Sequence, residues 1–274
     1  MKAVRVTSQA SGQFKIEPLP LPSIQRRGNA GAEKYRLQAK GGTDTKNFTP
    51  LPADFLRTIV LSEGQFKGLT TQPGPLLTAI MSGSATLHAG AETVELQTGD
   101  LLLTEDKSAT AATLETRGTV RLLQLGISPD FPGADAEIQL PGAFTARPEG
   151  QQILTRIYRG AGTESAFFVD FPEIFPATRD SWSQPYPVKG FRMLYWDQGE
   201  MDYHPCVLRQ MGIFLSGEHR TDVRGGGGQS VAMRAGDICL TEDTTGEGHL
   251  NRVTGGCHAL VIVLGENDDW PLKA

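Results

Sequence analysis

Residues 99–106 read Gly-Asp-Leu-Leu-Leu-Thr-Glu-Asp, and residues 236–243 read Gly-Asp-Ile-Cys-Leu-Thr-Glu-Asp. Six of these eight positions are identical, at an offset of 236 − 99 = 137 in a chain of 274 residues. The match continues outward. Upstream, Leu77 to Gly83 (LTAIMSG) answers Met211 to Gly217 (MGIFLSG) at an offset of 134, and the three-residue difference falls in a loop. That loop holds Ala89-Gly90-Ala91 in the first copy and Gly225 to Gly228, a flexible hairpin tip, in the second. Downstream, Val120 to Ile127 (VRLLQLGI) answers Ala259 to Gly265 (ALVIVLG). Self-similarity at about half the chain length is too long for a solenoid unit and suits a duplicated domain.

Each copy reads as a strand ending in Ser-Gly, a glycine turn, a strand, Gly-Asp, a buried apolar strand, a polar loop and a final apolar strand. Short strands at this spacing, punctuated by turn signals, indicate a sandwich or barrel. The 32 glycines and 17 prolines fit that all-β reading, since tight turns need residues that adopt φ > 0 or lack an N–H. The run Pro141 to Gly150 (PGAFTARPEG) concentrates Pro, Gly and charge, and divides the chain into 1–145 and 146–274. The first 50 residues are less regular and read as an arm.

The bulk properties exclude several classes. The net charge is −5 and the basic residues are scattered, which argues against a nucleic-acid footprint or an anionic membrane surface. No stretch approaches 18 apolar residues, and Met1 to Phe14 lacks the apolar core of a secretory signal. Three cysteines without a CxxC pair are an odd, small set, pointing to a reducing, cytoplasmic setting without disulfides.

The pattern of Leu-Ser-Gly, loop, Gly-Asp, apolar strand and Thr-Glu-Asp resembles the cupin superfamily. The resemblance implies an all-β fold of two tandem jelly-roll barrels. Aligned on the two cupin motifs, Gln210 stands where the family has Glu, His204 and Cys206 stand at its two histidines, and Cys239 stands at its third. Over residues 150–265 the chain is similar to short, mostly uncharacterised cupins carrying Glu-Asp-Thr-Thr-Gly-x-Gly-His, here Glu242 to His249, with Tyr203-His204-Pro205 before Arg209-Gln210. Such a fold implies a small-molecule ligand and a divalent metal (Fe, Mn, Ni or Zn), and edge strands covered either by the two barrels of one chain or by homodimer formation.

Strand parity gives an independent reading, because alternate residues share a face. Asp237, Cys239, Thr241 and Asp243 fall on one face, with Ile238 and Leu240 on the other. His204, Cys206 and Gln210 share a second face, and His249 and Asn251 a third. The resemblance suggests that these faces line one barrel mouth. His204, Cys239 and His249 are then the expected metal ligands. Asp243 and His249 are the expected catalytic pair, since a carboxylate orients an imidazole and raises its basicity. Arg192, Tyr203, Arg209 and Gln210 are the expected ligand-binding residues, the arginines suiting an anion if they face the pocket and pairing with surface acids if they do not. Cys257 and His258 read as structural, and His219 as exposed. Two functions compete: a metal-dependent enzyme of dioxygenase or isomerase type, and a non-catalytic binding or structural protein.

The first copy reads as chemically empty. Leu76 stands opposite Gln210 and Leu102 opposite Cys239. Ala109 to Ala112 stands where the second copy has Gly246 to His249. Glu105 and Asp106 remain, and the copy's one histidine, His88, falls in the loop region.

Overall fold

The computed structural model describes residues 1–8, 11, 13–19, 23–26, 35–37, 50–105, 112–128, 152–170, 179–206 and 208–265. Its strands run in chain order β1 (Ala3–Ser8), β2 (Phe14–Pro18), β3 (Ser23–Arg26), β4 (Tyr35–Leu37), β5 (Ala53–Leu61), β6 (Gly64–Phe66), β7 (Leu76–Ser82), β8 (Ser84–Ala89), β9 (Glu92–Gln97), β10 (Leu101–Thr104), β11 (Thr113–Thr116) and β12 (Val120–Ile127). They continue as β13 (Leu154–Arg159), β14 (Ala166–Asp170), β15 (Tyr186–Pro187), β16 (Gly190–Trp196), β17 (Gly199–His204), β18 (Gln210–Val223), β19 (Gln229–Met233), β20 (Ile238–Glu242) and β21 (His249–Val263). The only helical piece among the described residues is a single 3-10 turn, Gly225–Gly227, at the expected hairpin tip. No helix among them is long and apolar enough to cross a membrane.

The chain folds into two compact units, each built from three segments. The first comprises Met1–Leu21, Pro52–Ile138 and Phe175–Val188, and the second Pro22–Leu51, Gln139–Ile174 and Lys189–Ala274. The boundary expected at 145/146 lies outside the described residues. The division observed is not into two contiguous halves, because 22–51 belongs with the C-terminal repeat and 175–188 with the N-terminal one.

The duplication is visible in the topology. In the first unit a seven-stranded sheet runs β15-β5-β12-β7-β10-β1-β2, beside a four-stranded sheet β6-β11-β8-β9. In the second, the path β14-β13-β20-β18-β21-β16-β3-β4 carries β17 on β21 and β19 on β18, making ten strands. Corresponding strands pair in the same sense: β1 is parallel to β10, and β13 is parallel to β20. The second unit's sheet is continuous because β18 and β21 run through both of its faces, whereas β7 and β8 are separate strands.

The sheets are open. The expectation of closed barrels is corrected here: no ladder among the described residues joins the outer strands into a ring. Closure comes instead from side chains packed between two facing layers. In the first unit this core includes Val6, Ile59, Ile80, Leu87, Leu114 and Leu122. In the second it includes Ile157, Leu194, Trp196, Phe214, Val253 and Val261.

Both repeated dipeptides that signal the duplication are structural. Gly83 (φ 79°) and Gly217 (φ 73°) mark the passage of the chain from one layer to the other. A Cβ at Gly83 would lie 2.5 Å from the Thr119 carbonyl, and one at Gly217 would lie 2.0 Å from that of Gly256. The Gly-Asp pairs form locks. Asp100 and Asp237 are fully buried. Asp237 accepts the Arg234 and Ile153 N–H groups, both at 2.8 Å, and Asp100 accepts those of Gln97 and Lys2. Each carboxylate thus closes its own turn and anchors the strand that runs parallel to the one after it, β1 in the first unit and β13 in the second. Asp237→Ala strands two N–H groups, partly offset by removing a buried charge, so a loss of about 2 kcal/mol is expected in urea unfolding. Asp237→Asn, which keeps one acceptor oxygen, should lose less.

Candidate functional site

Register places equivalent residues of the two units in one transverse row. In the first unit the row is Arg57–Gln124–Thr78–Leu102–Val4. In the second it is Arg192–Val261–Gly212–Cys239–Thr155. Leu102 and Cys239 each stand three residues after the glycine of the repeated Gly-Asp pair, which fixes the correspondence. Arg192 shares the face of Leu194 and Trp196 and is 5% exposed, so it belongs to the interior. Gln210 lies one row beyond, between Thr241 and Val263, on the same face as Gly212.

At this end of the interior stands the pair expected from sequence. His249 Nδ1 lies 2.7 Å from Asp243 Oδ2. His249 is 7% exposed and Asp243 is fully buried. The second carboxylate oxygen, Asp243 Oδ1, is buried without a hydrogen-bond partner. The His204 ring stands 5.0 Å from the His249 ring, and its Nδ1 lies 2.7 Å from the Asp202 carbonyl. The backbone supports this grouping. Cys206 N–H donates to the Asp243 carbonyl at 3.0 Å, and Glu247 N–H donates to that of Glu164 at 2.8 Å. Gly248 (φ 71°) passes so close to His204 that a Cβ would lie 2.0 Å from the His204 carbonyl oxygen. The Gly-x-Gly-His run is therefore what lets the two histidines approach.

Other expected site residues are placed differently. Arg209 lies on the outer face, where it pairs with Glu242, which also receives Arg156. This ion pair is largely buried, with side-chain exposures of 17% and 10%, and it occupies the guanidinium expected to bind a ligand, a correction to that assignment. The Tyr203 ring lies beneath the Arg224 guanidinium at 4.1 Å, and Arg224 pairs with Glu247 at 2.9 Å. His219, expected to be exposed, is 4% exposed and lies against the Trp196 and Phe214 rings at 4.9 and 5.2 Å. Its Nδ1 is 3.3 Å from the Thr221 hydroxyl, which donates to Asn251 Oδ1 at 3.0 Å. This buried polar chain continues the interior from Asn251, two residues from His249.

The donors do not fit a bound divalent metal. Among the described residues no group of three or more His, Cys, Asp or Glu side chains is placed to hold an ion. The expected set His204, Cys239 and His249 is corrected accordingly. Cys239 sits in the apolar core with Ile157, Phe214 and Val261, and no group of donors forms around it among the described residues. Cys206, Cys239 and Cys257 are all buried free thiols.

A cleft of about 490 Å³ opens between the edge strands β14 and β19, lined by Thr155, Phe168, Asp170, Gln229 and Val231 among others. Asp243 and His249 are not in its lining. It reaches the interior through Thr155, the row neighbour of Cys239.

No protein-family model matches the sequence, and no curated protein matches it. Solved structures similar to the chain include a cupin 2 conserved barrel domain protein from Leptotrichia buccalis, 13% identical over 78% of this chain and 85% of that one, with a TM-score of 0.39. A DUF861-family protein of unknown function from Pseudomonas syringae is 14% identical over 96% of this chain and all of that one, TM-score 0.35. Oxalate decarboxylase from Bacillus subtilis is 14% identical over 78% of this chain and 70% of that one, TM-score 0.29.

Proposed function

We propose that the chain is a duplicated cupin-type protein of two jelly-roll units, whose C-terminal unit holds a small anionic molecule and moves a proton with the Asp243–His249 pair. The observation that carries this reading is the 2.7 Å contact between a fully buried carboxylate and a nearly buried imidazole. The Asp243 carboxylate accepts Nδ1–H and so fixes the tautomer, leaving Nε2 as the basic nitrogen. Arg192 supplies positive charge on the interior face, Gln210 an amide one row beyond it, and Asn251 an amide two residues from His249. Proton abstraction next to a carboxylate or carbonyl, as in an isomerase, uses these groups and no others. A dioxygenase mechanism has no support from the donor set.

A binding function without turnover is the second reading. It is favoured by the close apolar filling around Trp196, Phe214 and His219, and by a cleft that the dyad does not line. One experiment separates the two. Small hydroxy- and keto-acids are screened by thermal shift, and those that bind are incubated in D₂O and followed by proton NMR. The enzyme reading expects deuterium to enter the α-position, slowed about 100-fold in His249→Ala and in Asp243→Asn. Saturable binding without exchange would establish the binding reading. No binding by any acid would sink both.

A further inference from the structure

The first unit, chemically empty by its histidines and acids, carries a buried cation. Arg57 is 2% exposed and shares the interior face of Ile59 and Leu61. Its Nε and Nη2 both donate to Gln124 Oε1, the former at 2.9 Å, and its Nη1 donates to the Thr71 hydroxyl at 3.0 Å. Gln124 is itself fully used, its Nε2 donating to the Leu69 carbonyl and the Thr78 hydroxyl, both at 2.9 Å. The Trp182 ring covers the guanidinium with Cζ 4.2 Å from the ring centroid. Every acceptor that Arg57 meets among the described residues is neutral, and burial pushes its pKa down to about 10.

A buried charge without a counter-charge is costly, and native interiors pair such charges. Among the described residues two of the five guanidinium N–H donors find no acceptor, one on each terminal nitrogen, the arrangement that a carboxylate accepts in parallel. That edge is one hydrogen bond below the surface, because Thr71 is exposed. We propose that the first unit binds a small carboxylate monoanion at the terminal edge of Arg57, between Thr71 and Trp182. A single positive charge in an otherwise neutral, apolar setting matches one negative charge. A phosphate dianion would leave an unbalanced charge in the interior.

The test is calorimetric titration of the full chain with sodium acetate, sodium benzoate and sodium phosphate at matched ionic strength, with sodium chloride as the blank. Saturable heat is expected for the carboxylates. Arg57→Lys, which keeps the charge and loses the fork, should weaken binding about tenfold. Deuterium exchange, read separately on the same protein, reports the second unit, so failure here is distinguishable from failure of the proton-transfer reading. Thr71→Val, at an exposed position, decides the matter if Arg57→Lys does not fold: removing the neutral acceptor frees one donor and should tighten binding severalfold. No saturable heat, equal binding by Arg57→Lys, unchanged binding by Thr71→Val, or phosphate binding as tight as acetate would each overturn the assignment.

Discussion

Gly248→Ala should destabilise the protein by about 4 kcal/mol, with separate contributions from backbone conformation and packing. Gly248 has φ 71°, a left-handed conformation that costs an alanine roughly 1–2 kcal/mol. The added Cβ would also lie 2.0 Å from the His204 carbonyl oxygen and 2.3 Å from the Pro205 nitrogen. Neither neighbour is a flexible side-chain tip, so the chain must move, at a cost of about 1–3 kcal/mol. Gly227→Ala is the matched control. Its φ is 84°, but a Cβ there meets nothing within 4 Å. That substitution should cost only the conformational part, about 1–2 kcal/mol. The difference between the two urea midpoints therefore measures the close approach of Gly248 to His204. Equal losses would mean that the motif's glycine serves only its own turn, and that the pairing of His204 with His249 does not depend on it.

The legible and illegible parts of the structure divide along one physical line. Period-two alternation and turn glycines are local signals, and they place Cys239 on the interior face, where it packs in the core. The same parity fails at His219. Register shifts between Phe214 and Ser216 and between Ser216 and Glu218 insert an extra step, so the interior set Gly212 and Phe214 continues as His219, Thr221 and Val223. An unbroken count from Phe214 puts His219 on the wrong side. The Gly-Asp repeat was readable as a repeat, but its role was not, because Asp237 is held by Ile153, 84 residues away in sequence. The correspondence of Arg57 with Arg192 is similarly non-local. It emerges only when each strand is paired with its neighbours, through Gln124 in one unit and Val261 in the other. The exchange of Gln124 for Val261 and Thr78 for Gly212 removes from the second unit the groups that hold the arginine in the first. Duplication thus kept the cation and changed what surrounds it.

A large pH effect on stability is expected from His258. His258 is 2% exposed, with Nδ1 at 3.0 Å from the Ser216 hydroxyl and its ring 4.6 Å from that of Tyr195. Its Nε2 is buried without a partner. Burial lowers its pKa from 6.5 to about 4 in the folded chain. Between those values the unfolded state holds a proton that the folded state does not, so unfolding is favoured as the pH falls. The stabilisation from keeping this ring neutral is complete above pH 6.5 and is lost as the pH drops toward 4. The shift is worth about 3 kcal/mol over that window. The carboxylates titrate there too, so the informative quantity is the difference between wild type and His258→Gln, measured by urea unfolding at several pH values. Gln retains a polar group for Ser216 but cannot take up the proton. The wild type should therefore lose about 3 kcal/mol more than the variant on going from pH 7 to pH 4. Parallel curves would mean that His258 accepts its proton within the fold, which requires the Tyr195 side of the sheet to open to water.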